Sequence, residues 1–229
     1  MPERLSGMPT SIPFLRDVPA AVVRALLDGG HVSHVSNGRQ VMRCGEPARD
    51  LAILLEGRLR VSVLSVTGRE LTFRLLDPVQ PVGEVAVLDD GPRTADVVAV
   101  TCSRLLLVPR DHLLAMLGQH PALSFAMMRL LCRRLRDTSQ GLERVALQRL
   151  PSRLAHLLLS LAAEYGQPAP ANGILLPMRL SQGEIAALVA ATREAVNKQL
   201  AEWREGGLIR LEAGRISILQ PSVLAAARE

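Results

Sequence analysis

Cysteine is scarce in this chain. It has Cys 3, at Cys44, Cys102 and Cys132, far apart and without any CxxC or CxxH spacing. An odd number with no metal-ligand spacing argues for free thiols in a reducing compartment and against a zinc or iron–sulfur site. Lysine is scarcer: Lys198 stands alone, so the formal charge of +5 is an excess of arginine. That reads as a coding bias, and because the excess is small on both sides of residue 150 any nucleic-acid contact is a local constellation and not a bulk polycation. There is no apolar run of about 18 residues that would cross a membrane. The opening, MPERLSGMPTSIPFLRDVP, puts prolines and charges where a signal peptide needs unbroken apolar residues, so a cytoplasmic location with no membrane partner is expected. No Ser-His-Asp or Cys-His arrangement stands out, and an enzyme is not expected. His31 and His34 have a metal-ligand spacing, but on a polar strand such a pair is solvated, and no metal is expected.

What is present suffices for a globular protein: 229 residues, 48% hydrophobic and 21% charged, long enough to bury a core without disulfides or metals. From Val32 to Val108 short β-branched and leucine runs are punctuated by Gly and Asp, and LAILLEGRLRVSVLSVTGRELTFRLL holds three of them, broken at Glu56-Gly57 and Thr67-Gly68. Two hairpins are implied. Alternation over Arg58–Val63 and Glu70–Leu75 puts apolar residues on one face, as in a roll with one wet side; an N-terminal helix is expected ahead of the module, and no amphipathic helix from Val32 until Arg110. This is an all-β module.

At His120-Pro121 the period changes, and a long helix is predicted up to Leu150. Ser124, Met128, Leu131, Leu135, Thr138, Leu142, Val145 and Arg149 recur at spacings of four and three, a coiled-coil seam that pairs with a copy of itself; a single amphipathic helix lying on the β module is the other reading. Pro151 then breaks the run, making Leu150–Ser152 the expected hinge. Three regions result: residues 1–120, 121–150 and 151–229.

Residues 166–178 read as a loop. In RLSQGEIAALVAATREAVNKQLAEWREGGLIRLEAGRISILQP the pattern is helix, tight turn, helix and hairpin. Ser181 and Glu184 form a capping box, and Thr192 caps the second helix. Its apolar side is Val196, Leu200 and Trp203. Arg193, Glu194, Asn197 and Lys198 project from the other side, where a capped helix start with polar residues suits a major groove. Arg193 has the donors for O6 and N7 of a guanine, and Glu194 accepts from a cytosine amine. A solvated helical face is the plainer alternative. Val189-Ala190-Ala191, at the turn, has alanine where a left-handed backbone prefers glycine.

The stretch VGEVAVLDDGPRTADV has the makings of a phosphate cassette: Gly83 for close backbone approach, Glu84 to accept from a ribose hydroxyl, and Arg93 with Thr94 for a phosphate. An alternative is Arg93 paired with Asp89 or Asp90 on the surface. The ligand would be a small cyclic phosphodiester.

A β-roll with this cassette, a long helix reading LCRRLRDTSQ and a winged helix-turn-helix, in that order, resembles the cyclic-AMP receptor protein/fumarate-nitrate regulator superfamily of bacterial transcription factors. The resemblance covers nearly the whole chain and is strongest for the cyclic-AMP receptor branch. It implies an α+β fold, with an N-terminal cyclic-nucleotide-binding β-roll (jelly roll), a dimerisation helix and a DNA-binding winged helix-turn-helix. It also implies a homodimer regulating transcription on double-stranded DNA, with RNA polymerase as a further partner and cAMP or cGMP as effector. By the resemblance Glu84 binds the ribose, Arg93 and Thr94 the cyclic phosphate, Thr138 the base in its own subunit and Ser139 the base held by the partner. Val82, Gly83, Val85 and Ala95 complete the cradle, and Arg134 bridges helix and pocket. Arg193, Glu194 and Lys198 become the base readers of a half-site resembling TGTGA, with Thr192 on phosphate and Ser181, Gln182 and Asn197 beside them. The chain departs from the family in having Ala195 where threonine is usual, and its first 43 residues lack the cysteine cluster of the iron–sulfur branch. Thr94 leaves cGMP open, because its hydroxyl can accept from the amine of a syn guanine. Other roles left open are a regulator of this fold that does not answer to cyclic nucleotide, and a regulatory subunit acting on a protein partner. The polar seam position suggests that a base bound at Thr138 and Ser139 favours one helix register and aligns the paired helices past Gly141.

Overall fold

The computed structural model describes residues 12–169 and 173–227. Most of the segment read for a signal peptide therefore lies outside the described residues. By its contacts the chain forms two units, residues 1–63 with 73–138, and residues 64–72 with 139–229.

The first unit opens with α1 (Ala20–Asp28) and continues through β1 (His31–Val35), β2 (Gln40–Met42), β3 (Asp50–Glu56), β4 (Leu59–Leu64), β5 (Glu70–Leu76), β6 (Pro81–Val82), α2 (Glu84–Asp89), β7 (Asp96–Ala99), β8 (Ser103–Pro109) and α3 (Arg110–Gln119) into α4 (Pro121–Leu147). Its strands form two four-stranded sheets, in the orders β1-β8-β3-β6 and β2-β7-β4-β5. Strand β3 shows why DLAILLE is almost continuously apolar: Ala52 and Leu54 face the interior shared with Leu59, Leu76 and Val97, while Leu51, Ile53 and Leu55 face a second core with Leu26, Leu113, Leu123 and Met127. A strand buried on both faces cannot alternate. Each such leucine removed from water contributes about 1.5–3 kcal/mol.

Only one of the two expected hairpins exists. β4 and β5 are neighbours, but β3 and β4 belong to different sheets. Glu56-Gly57 is a corner: Gly57 has φ +91°, and a Cβ there would collide with Ser103 and the Cys102 carbonyl. Glycine marks both kinds of turn, so the sequence pattern does not separate them. The β region also holds a helix, α2, which the strand-like composition of EVAVLD conceals. On β5 the polar face turns inward: Thr72 is buried and Arg74 half-buried, whereas Phe73 is 49% exposed.

Helix α4 runs 27 residues and stops at Leu147; α5 (Leu150–Tyr165) restarts with Pro151 in its first turn, so the break falls at Gln148-Arg149, just before the expected hinge. Leu123, Ala126, Met127 and Leu130 are buried, while the seam residues Met128, Leu135, Leu142 and Val145 remain exposed. Ser124 leaves the seam pattern, its hydroxyl donating to the Leu117 carbonyl at 2.7 Å.

The second unit continues with β9 (Gln167–Ala169), β10 (Gly173–Leu176), α6 (Gln182–Leu188), α7 (Arg193–Glu205), β11 (Ile209–Glu212), β12 (Arg215–Ile218) and α8 (Pro221–Ala226). The stretch read as a loop carries two strands, in a sheet of order β11-β12-β10-β9. Pro168 is tolerated because β9 is the edge. Leu154 and Leu158 from α5, Ile185 from α6, Val196, Leu200 and Trp203 from α7, and Ile216 and Ile218 from β12 make its core. Helix α6 ends with Ala190 at φ +53° and the Ala191 amide on the Ala186 carbonyl at 3.0 Å, the hydrogen bond of a left-handed helix end. A Cβ is strained there. Ala190→Gly is expected to raise unfolding free energy by roughly 0.5–1 kcal/mol in denaturant titration; a lowered midpoint would mean that the alanine methyl packs more than it strains.

Candidate functional site: a charged cavity and an exposed helix face

The interior between the two sheets of the first unit opens into a cavity of about 400 Å³ whose walls come from β5, β6, α2, β7 and α4. Val82, Gly83, Glu84, Val85, Arg93, Thr94, Ala95, Arg134 and Thr138 all line it, so every effector residue expected from the sequence is brought to one place except Ser139. Ser139 is exposed on α4.

Local backbone builds the cradle. Gly83 has φ +84° and lies so close to Arg93 Nη1 and the Met42 thioether that any Cβ would displace them. Arg93 is only 6% exposed, and its partner is neither Asp89 nor Asp90. Its Nη2 donates to the Asp50 carbonyl at 2.7 Å and to Asp50 Oδ1 at 3.0 Å, while Nη1 donates to the Gly83 carbonyl at 3.0 Å. Asp90 instead pairs with Arg110 at 2.9 Å. Burial pulls the Arg93 guanidinium below its ordinary value, against the attraction of Asp50. Arg134 donates from Nη2 to the Pro81 carbonyl at 3.0 Å and brings Nε within 3.4 Å of Glu84 Oε1, an ion-pair approach without hydrogen-bond alignment. Thr138 donates to the Arg134 carbonyl one turn back at 2.8 Å, which fixes its hydroxyl and leaves lone pairs free to accept. Thr94 is exposed at the cavity edge.

Sequence reasoning missed Asp50 and Arg74. Asp50 opens β3, far from the cassette, and only sheet packing brings it behind Arg93. Arg74 comes from the polar face of β5; burial lowers its guanidinium, with Glu84 and Asp137 opposing.

In the second unit Ser181 donates its amide to Glu184 Oε2 at 2.7 Å and accepts the Glu184 amide at 3.2 Å, which closes the capping box. Thr192 Oγ1 accepts from the Ala195 amide at 3.2 Å. Beyond that cap Arg193, Glu194 and Lys198 are exposed on one side of α7, opposite the buried Val196, Leu200 and Trp203. Gln182 is half-buried. Asn197, expected on the exposed side, is also half-buried, and its Oδ1 is enclosed without a hydrogen-bond donor among the described residues. At the edge of the helix face, a shift of one position is enough to turn a side chain inward.

The two units correspond to two separate matches with known families: residues 32–120 to the cyclic nucleotide-binding domain and residues 152–227 to the Crp-like helix-turn-helix domain. The chain is 35% identical over 188 residues to the CRP-like cAMP-activated global transcriptional regulator of Mycobacterium tuberculosis, covering 82% of this chain and 84% of that one. It is 29% identical over 187 residues to the cyclic AMP receptor protein of Thermus thermophilus, covering 82% and 83%. In fold it is similar to the c-di-GMP-responsive global regulator of Xanthomonas campestris, with a TM-score of 0.78 at 21% identity over 87% of this chain and 98% of that one. A transcriptional regulator of the CRP/FNR family from Thermus thermophilus matches at TM-score 0.69 and 27% identity, over 86% and 98%. An α+β chain with a cyclic nucleotide-binding domain followed by a helix-turn-helix is a CRP-like transcription regulator. The chain belongs to the cyclic-AMP receptor protein/fumarate-nitrate regulator superfamily.

Burial of Glu84 couples the cavity to pH. At 6% exposure, burial raises its pKa, opposed by its own backbone amide, Arg74, Arg93 and the Gly83 amide. A carboxyl raised in the fold binds its proton more tightly folded than unfolded, so stability falls as pH rises from the ordinary carboxylate range through the raised value. Glu84→Gln removes that loss. The ligand-free variant is expected to match the native protein in acid and to melt increasingly higher as pH rises toward neutral. A gap that widened on acidification would mean that the arginines outweigh burial.

Proposed function

We propose that this chain is a homodimeric transcription regulator gated by a cyclic purine nucleotide. The carrying observation is the convergence of Arg93, Glu84, Thr94 and Thr138 in one cavity, with Arg93 oriented from behind by Asp50. A fixed guanidinium fork suits a phosphate, a buried carboxylate accepts from a ribose hydroxyl, and a hydroxyl on α4 meets a base. The M. tuberculosis and T. thermophilus relatives point to cAMP, and Thr94 keeps cGMP open.

The apolar row Met128, Leu135, Leu142 and Val145 on α4 supports pairing with a second copy. Ser139 would then reach the base held by the partner. In this reading Thr192 meets phosphate, with Ser181, Gln182 and Asn197 supporting it, and Arg193, Glu194 and Lys198 read a palindrome of TGTGA-like half-sites. RNA polymerase is the further partner. Regulation needs no chemistry on the ligand: it shifts DNA affinity by the difference in its own affinity for two arrangements of the protein.

Calorimetric titration with cAMP and cGMP, backed by thermal shift, tests the cavity assignment. Binding is expected for the native protein, weakened roughly 10- to 100-fold in Arg93→Ala. No binding of either nucleotide would instead favour a regulator independent of cyclic nucleotide, in which Asp50 permanently occupies the Arg93 fork.

A further inference from the structure

Three arginines line the cavity, and two of them are engaged. Arg93 is held by Asp50 and Gly83, and Arg134 by the Pro81 carbonyl beside Glu84. Arg74 differs: among the described residues its guanidinium has neither a hydrogen bond nor an ion pair, although it is half-buried and faces the cavity. Glu84 attracts it from a distance, yet burial still prevails. Its donors therefore face the cavity without a protein acceptor among the described residues.

Glu84 is influenced by both Arg74 and Arg93. Arg93 otherwise answers to Asp50 and Glu46, whereas Arg74 answers to Asp137, the neighbour of Thr138 on α4. Arg93 is bound to Asp50 at the start of β3, whereas Arg74 lines the cavity together with Arg134 and Thr138 of α4, the helix assigned above to the base.

We propose that Arg74 is a further base-reading residue of the cavity and makes cyclic GMP the preferred effector over cyclic AMP. The inference rests on the cyclic-nucleotide reading of the cavity. A guanidinium offers only donors, and guanine presents O6 and N7 side by side as acceptors. Adenine puts an amine where O6 stands, so a donor would face a donor. Thr94, next to Arg93, accepts from the guanine 2-amine, which adenine lacks. Guanine is met at both ends, whereas adenine keeps only N7 as an acceptor and lacks the 2-amine. An arginine that only balanced Glu84 would act on both nucleotides alike.

The test is titration of the full-length protein with cyclic GMP, cyclic AMP and cyclic IMP, which keeps O6 and N7 but lacks the 2-amine. The native protein is expected to bind cyclic GMP roughly 5- to 100-fold more tightly than cyclic AMP, with cyclic IMP closer to cyclic GMP. Arg74→Ala should bring the cyclic GMP to cyclic AMP ratio within about threefold, mainly by weakening cyclic GMP. Arg74→Lys, which keeps the charge but not the fork, should fall between. Equal weakening of both nucleotides, a native preference for cyclic AMP, or cyclic IMP bound no better than cyclic AMP would overturn the assignment while leaving the cyclic-nucleotide reading intact. The analogue comparison uses native protein and holds even if a variant does not fold. Failure of the native protein to bind any of the three would remove both.

Discussion

One carboxylate and three guanidiniums share a cavity whose remaining walls are largely Met42, Val61, Leu76, Val82 and Val97. Charges removed from water must be compensated by geometry, and the local backbone is arranged to do so. The positive φ of Gly83 lets its carbonyl receive Arg93, the start of β3 supplies Asp50, and the Pro81 carbonyl receives Arg134. Glu84 is held close to cations yet remains destabilised by burial. A ligand bringing a phosphate and hydroxyls would satisfy groups that the protein's own partners satisfy only in part.

Helix α4 carries this chemistry toward the apolar row proposed above to pair two copies. Within one helix Leu123, Met127 and Leu130 anchor it in the first core, Leu131, Arg134 and Thr138 line the cavity, and Leu142 and Val145 lie exposed beyond. In the proposed reading a base on Thr138 therefore acts directly on the element that pairs two copies. The coupling to DNA can be no larger than the difference in ligand affinity between the paired arrangements.

Features written into consecutive residues were legible. The capping box at Ser181-Glu184, the Thr192 cap, the strained alanine turn, the C-terminal hairpin of β11 and β12 and the run of α4 all rest on local spacing, and the structure contains them. The Gly57 corner, β9 and β10 were not legible, because chain reversal and a short edge strand leave the same local signals as a hairpin and a loop. The cavity divides in the same way. The cassette from Val82 to Ala95 is contiguous, whereas Asp50 and Arg74 reach it only through the packing of two sheets. Family resemblance supplied the expected roles of Thr138 and Ser139, which spacing alone would have left as a polar break in an apolar seam.

The central claim is that occupancy of this cavity changes how the second unit meets DNA. The most direct measurement is fluorescence anisotropy of a labelled duplex with two TGTGA-like half-sites one helical turn apart, titrated at fixed salt with and without cyclic nucleotide. Nucleotide is expected to tighten binding to that duplex at least severalfold over a scrambled one, and Arg93→Ala is expected to lose the effect. Equal affinity with and without nucleotide, in a protein shown to bind it, would contradict the claim.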